Sequence, residues 1–345
     1  MTETATMRLL VSSHAFAPSR GGLETATRLL AEEFTRRGHA VTVLTQTGAE
    51  AGGEAFPYEV IRRPSASTLF REIGRADLVW HNHLSLRTGW PQLLPFASPK
   101  PWVITHQTWL SQGGLSLSSR LKRIALGKAF SIAISEPIAA ALPVPSERIP
   151  NPYDDRIFHS VPGTTRDGEV IAVGRLVSDK GFDLLFRALG KLRREGRAIG
   201  LTVVGSGPEE GALRDLAAAE GIAGQVAFAG SQPPEAVAAL LRRHRVLAVP
   251  SRWAEPFGIV ALEGIACGCV AVASRGGGLP EAVGPCGFLF ENGDVDGLAA
   301  ALVRGLDAAT APDPQRWRDH AARFTRERIG DAYLACFRQR LEERR

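Results

Sequence analysis

Short apolar runs alternate with amphipathic stretches along the whole chain, the pattern that strands and helices leave when they take turns around parallel sheets. The first run, residues 7–12, leads through a loop containing Pro18, Gly21 and Gly22 to a segment with Ala26, Leu30 and Phe34 at i, i+4 and i+8. Arg28, Glu32 and Arg36 fall on another face of it, so the segment predicts a helix, which Gly38 ends before a strand over 41–44. Further strands are predicted over 58–61, 77–81, 102–105, 131–135 and 148–150. Periodicity lapses between Asn151 and Gly168, around Pro152, Pro162 and Gly163, and restarts with a strand at 169–173. The scheme then repeats, with strands over 201–204, 225–229, 246–250 and 270–273, each followed by a helical segment.

These patterns predict an α/β chain with two doubly wound, Rossmann-like domains, 1–160 and 161–312. A helical tail, 313–345, follows; in it Trp317, Ala321 and Phe324, and then Ile329, Tyr333 and Phe337, form apolar stripes suited to docking on the body of the protein. The length agrees, since 345 residues are about twice what one core organises. With 44% hydrophobic and 22% charged residues the composition is that of a globular protein. The sequence holds no apolar run as long as a membrane-spanning helix needs and no secretion signal, so a cytoplasmic protein is expected. Four cysteines are too few for a disulfide scaffold, and Cys267 and Cys269 have no histidine cluster near them. Buried thiols are expected, and no metal site. The net charge of +5 lies wholly in the first half, where residues 1–150 carry 16 Lys+Arg against 11 Asp+Glu and residues 151–345 carry 25 against 25. A basic first half suits an acidic acceptor or an anionic surface, although a solvated basic face is as good a reading.

Three glycine-containing loops follow strands and precede helices: Ser19-Arg20-Gly21-Gly22, Gly174-Arg175-Leu176 and Gly205-Ser206-Gly207-Pro208. Glycine lets backbone N–H groups approach a phosphate, and the next helix adds its positive end; ordinary turns need the same residues. Glu210 occupies the position where a dinucleotide fingerprint requires its last glycine. The stretch 174–181 says more, because Arg175 and Lys180 place two cations beyond a strand, enough to neutralise a diphosphate; ion pairs with Asp179 or Asp183 are the competing reading. The segment 250–264 is the most informative. Glu255 lies just before a predicted apolar helix and Glu263 inside it. A carboxylate there needs hydrogen-bond donors, and sugar hydroxyls would serve, as would an internal salt bridge for Glu263 or a helix N-terminal position for Glu255.

The spacing from Glu255 to Glu263, set in Pro-Ser…Glu-Pro-Phe-Gly…Glu, resembles the E-x₇-E motif of the retaining glycosyltransferases of family 4. Further matches follow in family order: Gly21-Gly22, Thr105-His106, Ile149-Pro150-Asn151, Gly174-Arg175-Leu176…Lys180-Gly181, Gly205-Ser206-Gly207-Pro208, Gly277-Gly278-Leu279-Pro280-Glu281 and Gly287-Phe288-Leu289. The resemblance implies the GT-B architecture: two Rossmann-like domains facing across a cleft, with the C-terminal helix crossing back to the first. It implies a metal-independent, hexosyl-type transferase that takes a UDP- or GDP-sugar in the second domain and acts on a hydroxyl of a glycan, lipid-linked or small-molecule acceptor in the first. No cofactor, metal or nucleic acid is implied, the nucleotide sugar being the donor substrate. Arg175 and Lys180 would hold the diphosphate, Glu263 the ribose, and Glu255 a donor-sugar hydroxyl. Backbone groups of Gly174, Gly205, Gly207, Phe257, Gly258 and Ile259 would face the donor. Gly21 and Gly22 would approach its phosphates and His106 would line the sugar pocket. Gln107 after His106, and Pro152 after Asn151, depart from the family pattern and unsettle the acceptor.

Between His106 and Phe130, Trp109, Arg120, Lys122 and Arg123 accompany Leu117, Leu121, Ile124 and Lys128 at helical spacing. Basic charge beside leucines suits the headgroup plane at the inner face of a membrane; a packed helix with solvated cations is the alternative. Two other classes stay open at this level, a sugar-nucleotide-binding protein without catalysis and a Rossmann oxidoreductase.

Overall fold

The computed structural model describes residues 6–19, 21–49, 55–94, 100–110, 117–310 and 314–343. Arg20, quoted above, and residues 111–116, in the stretch between His106 and Phe130, lie outside the described residues. Two compact units emerge: unit 1 comprises Met1–Pro152 with Arg326–Arg345, and unit 2 comprises Tyr153–Thr325. The division falls upstream of residue 160, and residues 313–325 belong to unit 2 rather than to the returning tail. One reason is local: the Tyr153 amide donates to the Phe324 carbonyl, which ties the start of unit 2 to its end.

Unit 1 runs β1 (Arg8–Ser13), α1 (Gly22–Arg36), β2 (Ala40–Thr45), β3 (Glu59–Arg62), α2 (Ala66–Arg75), β4 (Leu78–Asn82) and the short α3 (Leu86–Gly89). It continues with β5 (Trp102–His106), α4 (Leu117–Lys128), β6 (Phe130–Ala133), α5 (Glu136–Ala141) and β7 (Ser146–Arg148). Its seven strands are ordered β3-β2-β1-β4-β5-β6-β7 and pair in parallel, with Leu9 beside Val41 and Leu78. Alternation along each strand explains the two covered faces. Leu9, Val11, Val43, Trp80 and Val103 pack on one side with α1, while Leu10, Leu44, Val79 and Ile104 pack on the other with α2 and α4.

Unit 2 runs β8 (Gly168–Val173), α6 (Phe182–Arg194), β9 (Leu201–Val204), α7 (Glu210–Ala219), β10 (Val226–Gly230), α8 (Pro234–Arg243) and β11 (His244–Val249). It ends with α9 (Ile259–Ala266), β12 (Val270–Ser274), α10 (Leu279–Val283), β13 (Gly287–Phe290), α11 (Val295–Ala308) and α12 (Pro314–Ala321). The six strands are ordered β10-β9-β8-β11-β12-β13, again all parallel. Strand β13 is the one the periodicity missed, because a four-residue edge strand starting at glycine carries little pattern.

The last helix, α13 (Arg326–Glu342), completes unit 1. Ile329, Tyr333, Leu334 and Phe337 on it are buried, each contributing roughly 1.5–3 kcal/mol relative to exposure. Phe34, Trp80, Tyr333 and Phe337 form one aromatic cluster with centroids 5.1–6.4 Å apart. The Tyr333 hydroxyl lies 3.0 Å from Thr105 Oγ1, which also accepts the Trp80 indole N–H at 2.9 Å. Buried Glu33 of α1 accepts from Arg36 and Arg37, so its carboxyl titrates below the usual range despite the opposing cost of burial. Including this tail raises unit 1 to 22 Lys+Arg against 15 Asp+Glu, and leaves unit 2 with 19 against 21.

Candidate active site

Both sheets reverse their strand order once, between β1 and β4 in unit 1 and between β8 and β11 in unit 2. In open parallel sheets the crevice beyond the carboxyl ends of the strands at such a point is where ligands bind. In unit 2 the chain leaves β8 through Gly174, Arg175 and Leu176 and makes a single 3-10 turn over Ser178–Lys180. Gly181, at φ +65°, then starts α6; a Cβ there would lie 2.1 Å from the Pro250 carbonyl oxygen, so this approach of the β8 and β11 loops requires glycine. From the other side, β11 ends at Val249 and Ser251 follows.

The two loops meet at a carboxylate. Lys180 Nζ donates to Glu255 Oε1 at 2.5 Å, and Ser251 Oγ donates to the same oxygen at 2.8 Å. The Glu255 backbone is fixed too, its carbonyl accepting the Gly278 N–H at 2.7 Å while Gly277 packs against it. The Asp183 carboxylate is taken by Arg252, and the Asp179 backbone carbonyl accepts the N–H groups of Arg252 and Trp253. The ion pair that Lys180 makes is with Glu255 and not with Asp179 or Asp183. Arg175 is exposed and has no ion-pair partner among the described residues. Two cations and one anchored carboxylate thus stand at the switch point of unit 2.

Glu263 is half-buried on α9 and has no ion-pair partner among the described residues. Burial, with the nearby charge of Asp154 adding to it, pushes its carboxyl up to about 7. Such a group lacks the donors a carboxylate wants. Phe257 is buried and its ring lies 5.7 Å from that of Phe324, so only its backbone could face a ligand. Gly258 (φ +106°) caps α9, whose first turn has amides without intrahelical acceptors. Ile259 begins that helix.

The other glycines have a different explanation from free donors. The amides of Gly174 and Gly205 donate to the carbonyls of Val204 and Gly230. Their use is close approach: a Cβ on Gly205 would lie 1.8 Å from the Gly174 oxygen, and one on Gly207 would lie 2.3 Å from the Leu176 oxygen. Both positions pack the β8 and β9 loops together.

In unit 1, Gly21 is extended and precedes α1, with Gly22 as its first residue. The Glu24 carboxylate lies over Gly21, 2.6 Å from where a Cβ would sit. His106, expected beside the donor sugar, is fully buried at the end of β5, with Nε2 3.1 Å from Ser131 Oγ. Burial, and then His83, lower its pKa to about 4, so the ring is neutral. Gln107, one of the two departures from the family pattern, and Asn151, which precedes the other, bond each other. Gln107 Nε2 donates to Asn151 Oδ1 at 2.8 Å and to Asn82 Oδ1 at 2.7 Å, and Asn151 Nδ2 donates to Gln107 Oε1 at 2.7 Å. Asn82 in turn donates to Thr27 of α1. This buried network and Ser251 are what sequence reasoning missed; the polar run Asn82-His83 at a strand end was the available signal. Trp109 is half-buried, whereas Arg120, Lys122 and Arg123 are exposed on α4 with Leu117 (73% exposed) and Ile124 (49%). Among the described residues no three His, Cys, Asp or Glu side chains are grouped to hold a metal ion, and the four cysteines are buried free thiols.

Sequence comparison places this arrangement. The profile of Glycosyl transferases group 1 matches residues 154–324, and that of Glycosyltransferase Family 4 matches residues 20–157. A GDP-mannose-dependent alpha-(1-6)-phosphatidylinositol monomannoside mannosyltransferase of Mycolicibacterium smegmatis is 30% identical over 85% of this chain and 88% of that protein. A D-inositol 3-phosphate glycosyltransferase of Mycolicibacterium paratuberculosis is 35% identical over 56% of this chain, which spans about half of that protein (45%). Anabaena HepE, solved in complex with UDP, superposes with a TM-score of 0.80 at 21% identity, covering 96% of this chain and 100% of that one. With a 30%-identical relative matched over most of its length and the two profiles meeting at the boundary between the units, the chain belongs to glycosyltransferase family 4 and has the GT-B fold of two Rossmann-like domains.

Proposed function

We propose that this glycosyltransferase moves a hexose from a UDP- or GDP-sugar, with retention of configuration and without a metal ion, to a hydroxyl of a glycan, lipid-linked or small-molecule acceptor. Unit 2 takes the donor and unit 1 the acceptor. The observation that carries the reading is the meeting of Lys180, Glu255 and Ser251 at the switch point of unit 2, where Arg175 adds a cation with no ion-pair partner among the described residues. Arg175 and Lys180 stabilise the departing diphosphate in place of a divalent ion. Glu255, already aligned by Ser251, accepts from a hydroxyl of the donor sugar, and Glu263 accepts from the ribose. The UDP bound by HepE and the GDP-mannose used by the mycobacterial relative support a pyrimidine or a guanine donor equally. A thermal-shift panel of UDP-, GDP- and ADP-sugars tests the assignment: one of the first two should raise Tm by several degrees at concentrations well above Kd. Transfer should persist in excess EDTA. A flat panel would sink the donor site.

Peripheral membrane contact belongs to the same proposal. No helix among the described residues is long and apolar enough to cross a membrane. Helix α4, however, carries Leu117, Arg120, Ile124 and Lys128 along one exposed stripe and has no acidic residue, the make-up of an interfacial helix. Leu117→Ser with Ile124→Ser should reduce sedimentation with anionic vesicles about tenfold and leave neutral vesicles unaffected. Equal sedimentation of the double variant and the parent would count against it.

A further inference from the structure

The switch point of unit 1 holds a group of side chains that the donor chemistry leaves unused. His14 directly follows β1 and His83 directly follows β4, two adjacent strands that pair in register as far as Ser12 and His81. His83 is held there by its own backbone, the N–H donating to the Thr105 carbonyl at 2.9 Å, with φ at +76°. A non-glycine residue in that region is uncommon and is kept where the surroundings require it. The ring Nδ1 of His83 is buried and has no hydrogen-bond partner among the described residues. Ser85 Oγ lies 3.4 Å from His14 Nδ1.

The cation comes from α4. Lys122 shares a helical side with the buried Ala125 and Leu126, at i, i+3 and i+4, and not with the outward stripe of Leu117, Arg120 and Ile124. Its ammonium is exposed, has no ion-pair partner among the described residues, and acts through space on the His83 ring. Burial holds the His83 pKa below its ordinary value, and Lys122 and then His14 add to that; His106 faces the same ring from β5. A histidine pushed toward its neutral form beside a lysine still has a ring N–H to offer. Unit 1 as a whole carries 22 Lys+Arg against 15 Asp+Glu.

We propose that His14, His83, Ser85 and Lys122 form a phosphate subsite at the carboxyl edge of the unit 1 sheet, which takes a phosphate group carried by the acceptor. This rests on the reading of unit 1 as the acceptor domain. The ammonium supplies the point charge, the two imidazoles and the serine hydroxyl supply directed donors, and the orphaned His83 nitrogen gains a partner.

The test uses the full chain labelled at histidine, titrated with inorganic phosphate and read by imidazole NMR signals assigned through His14→Gln and His83→Asn. Asparagine is chosen at 83 because it tolerates positive φ. The signals of His14 and His83 should move saturably, and Lys122→Ala, an exposed position, should weaken the response about tenfold. Signals that stay still, or that move identically in Lys122→Ala, overturn the proposal. Thermal shift by a nucleotide sugar, read in parallel, should be the same in Lys122→Ala as in the parent; a missing donor response beside an intact phosphate response would defeat the transferase reading and leave the subsite standing. Glycerol 3-phosphate and nanodiscs of phosphatidylcholine with phosphatidylglycerol then compete for the phosphate response. Displacement by the soluble ester assigns a free phosphorylated acceptor, displacement by the nanodiscs alone assigns a lipid headgroup, and displacement by neither overturns the acceptor role.

Discussion

Lys180→Ala should lower kcat by about two to three orders of magnitude while the protein melts within a few degrees of the parent. The size follows from the chemistry asked of the residue. A fixed donor aimed at charge that develops in the transition state is worth roughly 10²–10³ in rate, and a diphosphate leaving group develops such charge. The small effect on folding follows from the geometry. Lys180 is half-buried at the end of a single 3-10 turn. Removing it leaves Glu255 with the Ser251 hydroxyl and with a carboxyl that water can reach, so little is stranded. Lys180→Arg should recover part of the rate, since a planar fork replaces the point charge at altered reach. Steady-state kinetics with the donor chosen by the thermal-shift panel decide the matter; a kcat within twofold of the parent would remove Lys180 from the mechanism.

Glu263→Gln should produce two pH effects of opposite benefit. The folded carboxyl titrates near 7, against an ordinary value of 4.5, because burial disfavours its charge and Asp154 adds to that. A raised acid pKa means that the folded chain holds the proton more tightly than the unfolded chain does. The stability this contributes is fully present below about 4.5 and is lost as pH rises from there to about 7. Glutamine, always neutral, escapes that loss. The variant should therefore gain on the parent by about 2 kcal/mol between pH 5 and 7, with no further gain above. Denaturant melts at pH 5, 6, 7 and 8 measure the difference, and parallel curves would refute it. Donor binding should show the reverse preference. Two ribose hydroxyls are best received by an ionised carboxylate, so affinity for a nucleotide sugar, whose diester phosphates do not titrate in this range, should rise from pH 6 to 8 in the parent. In the variant it should be weaker and flat.

Much of the fold was readable because its causes are local. The period-two runs became strands within a residue or two of their expected ends, and Ala26, Leu30 and Phe34 are buried on α1 as their spacing required. The tail stripe of Ile329, Tyr333 and Phe337 is buried on α13 for the same reason. The burial of His106 was not legible, because its identity and family position say nothing of the neighbouring strand: Ser131 beside it on β6, and the surrounding sheet, leave the ring no surface. Gln107 and Pro152 looked like independent departures from a pattern. Gln107 and Asn151 are one hydrogen-bonded pair, 44 residues apart in sequence, and the network runs on to Asn82 and Thr27. Gly205 and Gly207 looked like phosphate loops, yet the packing of one loop on another excludes a Cβ there before any ligand arrives.

By itself the sequence determined two parallel α/β domains and membership of a transferase family, since hydrophobic period and short motifs depend on residues a few positions apart. Tertiary structure decided which charges act together. Lys180 and Glu255, 75 residues apart, share a proton-donating contact of 2.5 Å, His14 and Ser85, 71 residues apart, come within 3.4 Å, and the returning tail adds its cations to unit 1. Electrostatic coupling falls with distance through space, and only the folded chain sets that distance.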